Sequence, residues 1–125
     1  MTTLKVGIAS YEEMKARTMA VVRGEKRVAA GDPKVWFTST ESFAKVLSAG
    51  NRKVLRVIAE KKPGSLDELA RITGRAKSNL SRTLRTMERY GLVRLDRGER
   101  GRITPTVMHD RVEVDLPLTL SRKAG

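Results

Sequence analysis

No cysteine occurs in the 125 residues, which excludes disulfides, thiolate metal sites and cysteine nucleophiles. Histidine occurs once, at His109 beside Asp110. With no nucleophile pattern, phosphate loop or metal-ligand spacing around it, this dipeptide reads as structural, and neither enzymatic activity nor a cofactor is expected. Aromatic residues make up only 4% of the chain, too few for a base-stacking platform, so Trp36 and Phe37 are assigned to packing. No stretch approaches the ~18 apolar residues of a membrane span. The opening Met1-Thr2-Thr3-Leu4-Lys5 has no apolar signal region, so neither export nor insertion is expected and the cytoplasm is the expected location.

Acidic residues are also scarce. The 14 Asp and Glu stand against 26 Lys and Arg, a net charge of +12 and a pI near 10.7, well beyond what solubility requires. A polyanionic partner follows: nucleic acid first, an anionic membrane surface second, with a ribosomal or merely highly soluble protein as the remaining alternative. Apolar residues at 39% and charged residues at 32% describe a globular chain, long enough for one compact domain with short extensions.

Punctuation along the chain divides it. Leu4, Val6 and Ile8 alternate as in a short strand or extended arm. Ser10 and Glu13 form a capping box ahead of a helix over about 11 to 23. Gly24 to Pro33 either continues that helix or forms a loop before Val35-Trp36-Phe37. A second box, Thr38 with Glu41, opens a helix through Phe43, Val46 and Leu47 that ends at Gly50. Asn51 caps the next, with Val54, Leu55 and Ile58 at helical spacing until Lys62-Pro63-Gly64. Ser65 and Glu68 open a short helix closed by Gly74, and after a three-residue turn Lys77 to Tyr90 carries Leu80, Leu84 and Met87 on one stripe before Gly91. The period then changes: Leu92 to Leu95 and Ile103 to Val107 flank a loop with Gly98 and Gly101, a hairpin. Val112, Val114, Leu116 and Leu118 alternate with polar residues, a half-buried strand that either closes the hairpin sheet or pairs across a two-fold axis.

Helix, short turn, helix and hairpin in that order are the parts of a winged helix-turn-helix. The segment SLDELARITGRAKSNLSRTLRTMERYGLVRL resembles the DNA-binding half of MarR-like winged-helix regulators. The matching residues are Glu68-Leu69-Ala70, Gly74, Ser78-Asn79-Leu80-Ser81-Arg82 and Glu88-Arg89-Tyr90-Gly91-Leu92-Val93, and the resemblance covers roughly residues 40 to 107. Two positions depart from the family pattern: Arg75 stands where an apolar residue is usual, and Ala76 where Ser or Thr caps the second helix. The whole chain is similar to small regulators that lack an effector domain.

Helical geometry sorts the second helix independently. With Leu80, Leu84 and Met87 facing the core, Ser78, Arg82, Arg85 and Arg89 lie opposite, flanked by Asn79, Ser81 and Thr86. Acidic partners are nearly absent from this face, so the alternative of an ordinary solvated helix surface is the weaker one. Ser78, Asn79 and Arg82 are the expected base readers, and Arg85 and Arg89 the phosphate contacts. Arg75 and Lys77 stand at the turn. Arg97, Arg100 and Arg102 form the wing, with a plain solubilising turn as its alternative.

The expected fold is α+β: a three- or four-helix core with a C-terminal hairpin wing. Residues 1–37 form an extension expected to carry dimerisation, 38–118 the DNA-binding domain and 119–125 a flexible tail. The expected function is sequence-specific binding of double-stranded DNA by a homodimer that represses by occupying a promoter, with the N-terminal segment as main contact and the last strand second. The alternatives are a DNA-binding antitoxin whose extension neutralises a toxin protein, and an architectural or ribosome-associated basic protein.

Overall fold

A computed structural model describes residues 2–119 and shows an α+β fold. Among these residues the order is β1 (Thr3–Ile8), α1 (Tyr11–Val22), β2 (Val35–Phe37), α2 (Thr40–Val46), α3 (Ala49–Lys61), α4 (Leu66–Thr73), α5 (Lys77–Arg89), β3 (Val93–Arg97), β4 (Ile103–Val107) and β5 (Arg111–Asp115). The tail expected from residue 119 lies, beyond Thr119, outside the described residues.

The strands form two sheets. β3 and β4 pair antiparallel with Leu95 opposite Pro105. The other sheet runs β2-β1-β5 and is wholly parallel, with Val6 beside both Val35 and Val114. The expectation that the last strand might close the hairpin sheet is therefore corrected. Parallel strands need a long crossover rather than a turn, and β5 returns from the hairpin to the far side of β1. It ends at Asp115, two residues short of Pro117, which has no N–H to give a ladder.

Parallel sheets are stable when both faces are covered. On the inner face Leu4, Val6 and Ile8 join Phe37, Val54, Ile58, Leu69, Leu80, Leu84, Met87 and Val93 in one core. Residues 1–37, read from sequence as an extension, thus contribute to the same core as the helices. On the outer face the Trp36 ring lies over Gly7, where a Cβ would fall within the indole. The Arg17 guanidinium sits 5.1 Å from the Trp36 ring centre and pairs with Asp32 at 3.1 Å. The Ala29 amide and then Arg17 hold the Asp32 carboxyl below the ordinary carboxylate range. That ties the loop after α1 to the sheet, although α1 itself buries no residue.

Four of the five α-helices among the described residues start after a serine, in two cases one or three residues away from the expected cap. Ser10 and Glu13 form the full capping box of α1. α2 is capped by Ser39, which accepts from the Ser42 amide at 3.0 Å, not by Thr38. Ser48 caps α3, accepting from the Asn51 amide at 3.2 Å, so Asn51 falls inside the first turn. Its side-chain amide donates instead to the Val46 carbonyl at 3.0 Å, closing the end of α2. Both corrections have one cause: clustered Ser, Thr and Asn offer rival caps, and tertiary packing selects among them. Phe37 joins β2 to the helices, stacked on Tyr90 at 4.1 Å and edge-on to Phe43 at 5.2 Å.

Gly7→Ala is expected to destabilise the fold by about 1–3 kcal/mol through the clash with Trp36, read by urea unfolding. Gly7→Ala combined with Trp36→Leu should recover part of the loss. A wild-type midpoint for the single variant would contradict this packing.

Candidate nucleic-acid interface

α4 and α5 are joined by residues 74–76. Ser65 caps α4 by accepting from the Glu68 amide at 3.1 Å, while Glu68 reaches back to the Gly64 amide at 2.9 Å. At the other end Gly74 takes φ +76, the left-handed conformation that glycine adopts without a Cβ penalty. Ala76 precedes α5 with an extended backbone and no side-chain cap. The first turn of α5 therefore lacks the side-chain acceptor usual at a helix start, and its amides are open to an anion.

The turn is held by Arg75. Its guanidinium donates to Asn79 Oδ1 from two nitrogens at 2.9 and 2.6 Å, to Asn51 Oδ1 at 3.1 Å and to Thr83 Oγ1 at 3.3 Å. One planar fork thus fastens α3 to the first two turns of α5. Two expected site residues are thereby turned toward each other. With its carbonyl oxygen engaged, Asn79 presents only its amide donors outward, whereas bidentate reading of adenine needs both. Asn51, the third partner, carries no DNA-binding expectation from the sequence, and no local signal marks it.

Leu80, Leu84 and Met87 are fully buried, so the rotation of α5 is as expected from its stripe. Ser78, Arg82, Arg85 and Arg89 are exposed on the other side. Arg85 donates to Ser81 Oγ at 2.8 Å, and Lys77 reaches Asp67 at 3.1 Å, both ends well exposed. Such a pair contributes little to stability and leaves Lys77 free to exchange partners. Among the described residues the guanidinium groups of Arg82, Arg89, Arg100 and Arg102 have no hydrogen bond or ion pair.

The hairpin tip folds toward the start of α5. Gly98 donates to the Arg102 carbonyl at 2.7 Å, and a short 3-10 turn over Glu99–Gly101 places Arg100 at φ +59 and Gly101 at +74. A left-handed arginine costs roughly 1 kcal/mol, held here by the closed loop. Ser65, Asp67, Lys77, Arg100 and Arg102 line one cleft between the tip and the helices. Lys77 and two wing arginines are thus brought together, with the acidic Asp67 and Glu99 in the same lining. Arg97 is set apart, held by Glu88 at 3.6 Å and the Leu95 carbonyl at 3.2 Å. Thr104 anchors the hairpin through the Gly64 carbonyl at 2.8 Å. His109 lies elsewhere, bonded to Thr2 at 2.7 Å beside the start of β1.

No helix of the described residues is long and apolar enough to cross a membrane. A sequence model of the HVO_A0114 family matches residues 46–114, more than half of the chain and every element from α3 to β4. No curated protein and no solved structure matches the chain.

Arg75→Ala is expected to lower stability by about 1–2 kcal/mol, since the guanidinium binds three side chains, whereas Arg82→Ala should stay within about 0.5 kcal/mol of wild type. Thermal melts of the two variants make the comparison. Equal melting temperatures would show that the Arg75 fork does not hold the turn.

Proposed function

The chain belongs to the HVO_A0114 family, and we propose that it is a winged helix-turn-helix regulator that binds double-stranded DNA. In this reading α5 enters the major groove and the hairpin β3–β4 is the wing. It acts as a homodimeric cytoplasmic repressor that occupies a promoter. The observation that carries the reading is the division of α5: one side wholly buried, the other exposing uncommitted arginines beside the basic hairpin tip. The net charge of +12 supplies the long-range attraction, and release of phosphate counterions the bulk of the affinity. The resemblance of residues 65–95 to MarR-like regulators supports the same docking.

This reading assigns each side chain a role. Ser78 and Arg82, outward in the first half of α5, meet base edges. Asn79 is committed to Arg75, so it positions α5 and reads a base only after exchanging that partner. Lys77, Ser81, Arg85 and Arg89 meet the flanking phosphates, together with the uncapped amides at the start of α5. Arg100 and Arg102 meet phosphate or the adjoining minor groove, while Arg97, partly neutralised by Glu88, contributes less.

Arg82→Ala is expected to cost roughly 1–3 kcal/mol on the preferred site and much less on random duplex, measured on a sequence selected from a random pool. Equal losses on both would make Arg82 a phosphate contact. Replacing Arg100 and Arg102 together by Ala should weaken binding to all duplexes and reduce the log-log salt slope by about 2. An unchanged slope would remove the wing from the DNA.

A further inference from the structure

β5 is an edge strand. It pairs with β1 on one side only, so among the described residues its other side presents a row of unpaired N–H and C=O groups. Its two faces differ. Val112 and Val114 stand beside Leu4 and Val6 and so face the core side; Val112 is half-buried against the core, but the cover ends beyond it. Val114 is 44% exposed, and Leu116 and Leu118, just beyond the strand, are 43% and 91% exposed. Next to this stretch lies a mainly apolar groove of about 630 Å³ between α2, α3 and the start of β5, whose lining includes Phe43, Leu55 and Val112 together with the charged Arg52, Arg56 and Asp110.

We propose that two copies of this chain join edge to edge through β5, antiparallel across a two-fold axis at Glu113, making one six-stranded sheet. The pattern of the strand is self-complementary. Reading Arg111-Val112-Glu113-Val114-Asp115 against itself about Glu113 sets Arg111 opposite the partner's Asp115 and Val112 opposite the partner's Val114, each twice. The same register carries the partner's Leu116, 43% exposed in the single chain, alongside Asp110, which lines the groove, so an exposed apolar side chain of one copy is brought next to the apolar groove of the other. Neighbouring registers are poorer. Centring on Val114 opposes Glu113 to the partner's Asp115, and centring on Val112 sets Val114 against Asp110 and pairs fewer strand residues. The one like-charge contact, Glu113 with its own copy, is eased by Lys5, which stands beside Glu113 on β1. β1 is unsuited to the same role, since it is the central strand with both sides paired.

This interface rests on the homodimer of the proposed function and names the surface that forms it. The full chain without DNA supplies the test. Glu113→Cys is expected to form a covalent dimer on mild oxidation, because directly opposed residues of an antiparallel pair lie about 4.5–5.5 Å apart at Cα. Val112→Cys and Asp115→Cys should not. Arg111→Asp and Asp115→Arg, each creating two like-charge contacts, should raise the dimer dissociation constant about tenfold in sedimentation, and the double exchange should restore it. Both residues are exposed beside Thr3 and Gly7, so circular dichroism should report an unchanged fold. A monomeric wild-type chain at micromolar concentration, cross-linking at 112 or 115 rather than 113, or charge exchanges without effect would overturn the interface. Because no DNA enters these measurements, a cross-linked dimer that ignores duplex would fault the functional reading alone.

Discussion

Burying Leu80, Leu84 and Met87 fixes the one freedom a helix of this kind retains, rotation about its own axis. α5 cannot turn to hide Arg82, Arg85 or Arg89 without bringing that stripe into water, at roughly 1.5–3 kcal/mol for each apolar side chain exposed. The orientation of the basic face is therefore a consequence of the core, and the surrounding elements reinforce it. Arg75 ties the turn before α5 to α3 and to Asn79 and Thr83, and Phe37 stacks on Tyr90 at its end. With both ends held, the hairpin that follows has a fixed starting direction, and the Thr104 bond to Gly64 brings its tip beside Lys77.

Local patterns were legible in the sequence wherever one element decided its own fate. The 3.6-residue stripe of α5, the glycine at Gly74, the missing cap at Ala76 and the glycine-punctuated hairpin all appear as read. Caps were less legible where Ser39 competes with Thr38 and Ser48 with Asn51, since the side chain that wins is chosen by how the helices pack. Parallel pairing was not legible. Alternation in β1 and β5 marks two strands, but their partnership spans most of the chain and leaves no local trace. Nor does composition reveal that Arg75, a cation in a basic segment, is occupied by three neutral side chains while Arg82, seven residues on, is not.

That distinction matters for chemistry. Fixed cations whose donors are already used shape the surface, and uncommitted ones are available to a polyanion. Arg75 and Arg97 belong largely to the first kind, and Arg82, Arg89, Arg100 and Arg102 to the second. Under the proposed function, their placement on two elements joined through one core would let the chain present a helix and a loop to adjoining stretches of one duplex without rearrangement, limiting the ordering cost of binding.

Under the proposed function, α5 and the hairpin tip are the surface that meets DNA. Following backbone amide resonances of the full chain during titration with a duplex selected from a random pool would locate it most directly. Shifts concentrated in residues 75–89 and 98–102, with α1 and the outer face of β1 unmoved, are what the account requires. Shifts centred on α1 or on the groove beneath β5, with α5 unmoved, would contradict it.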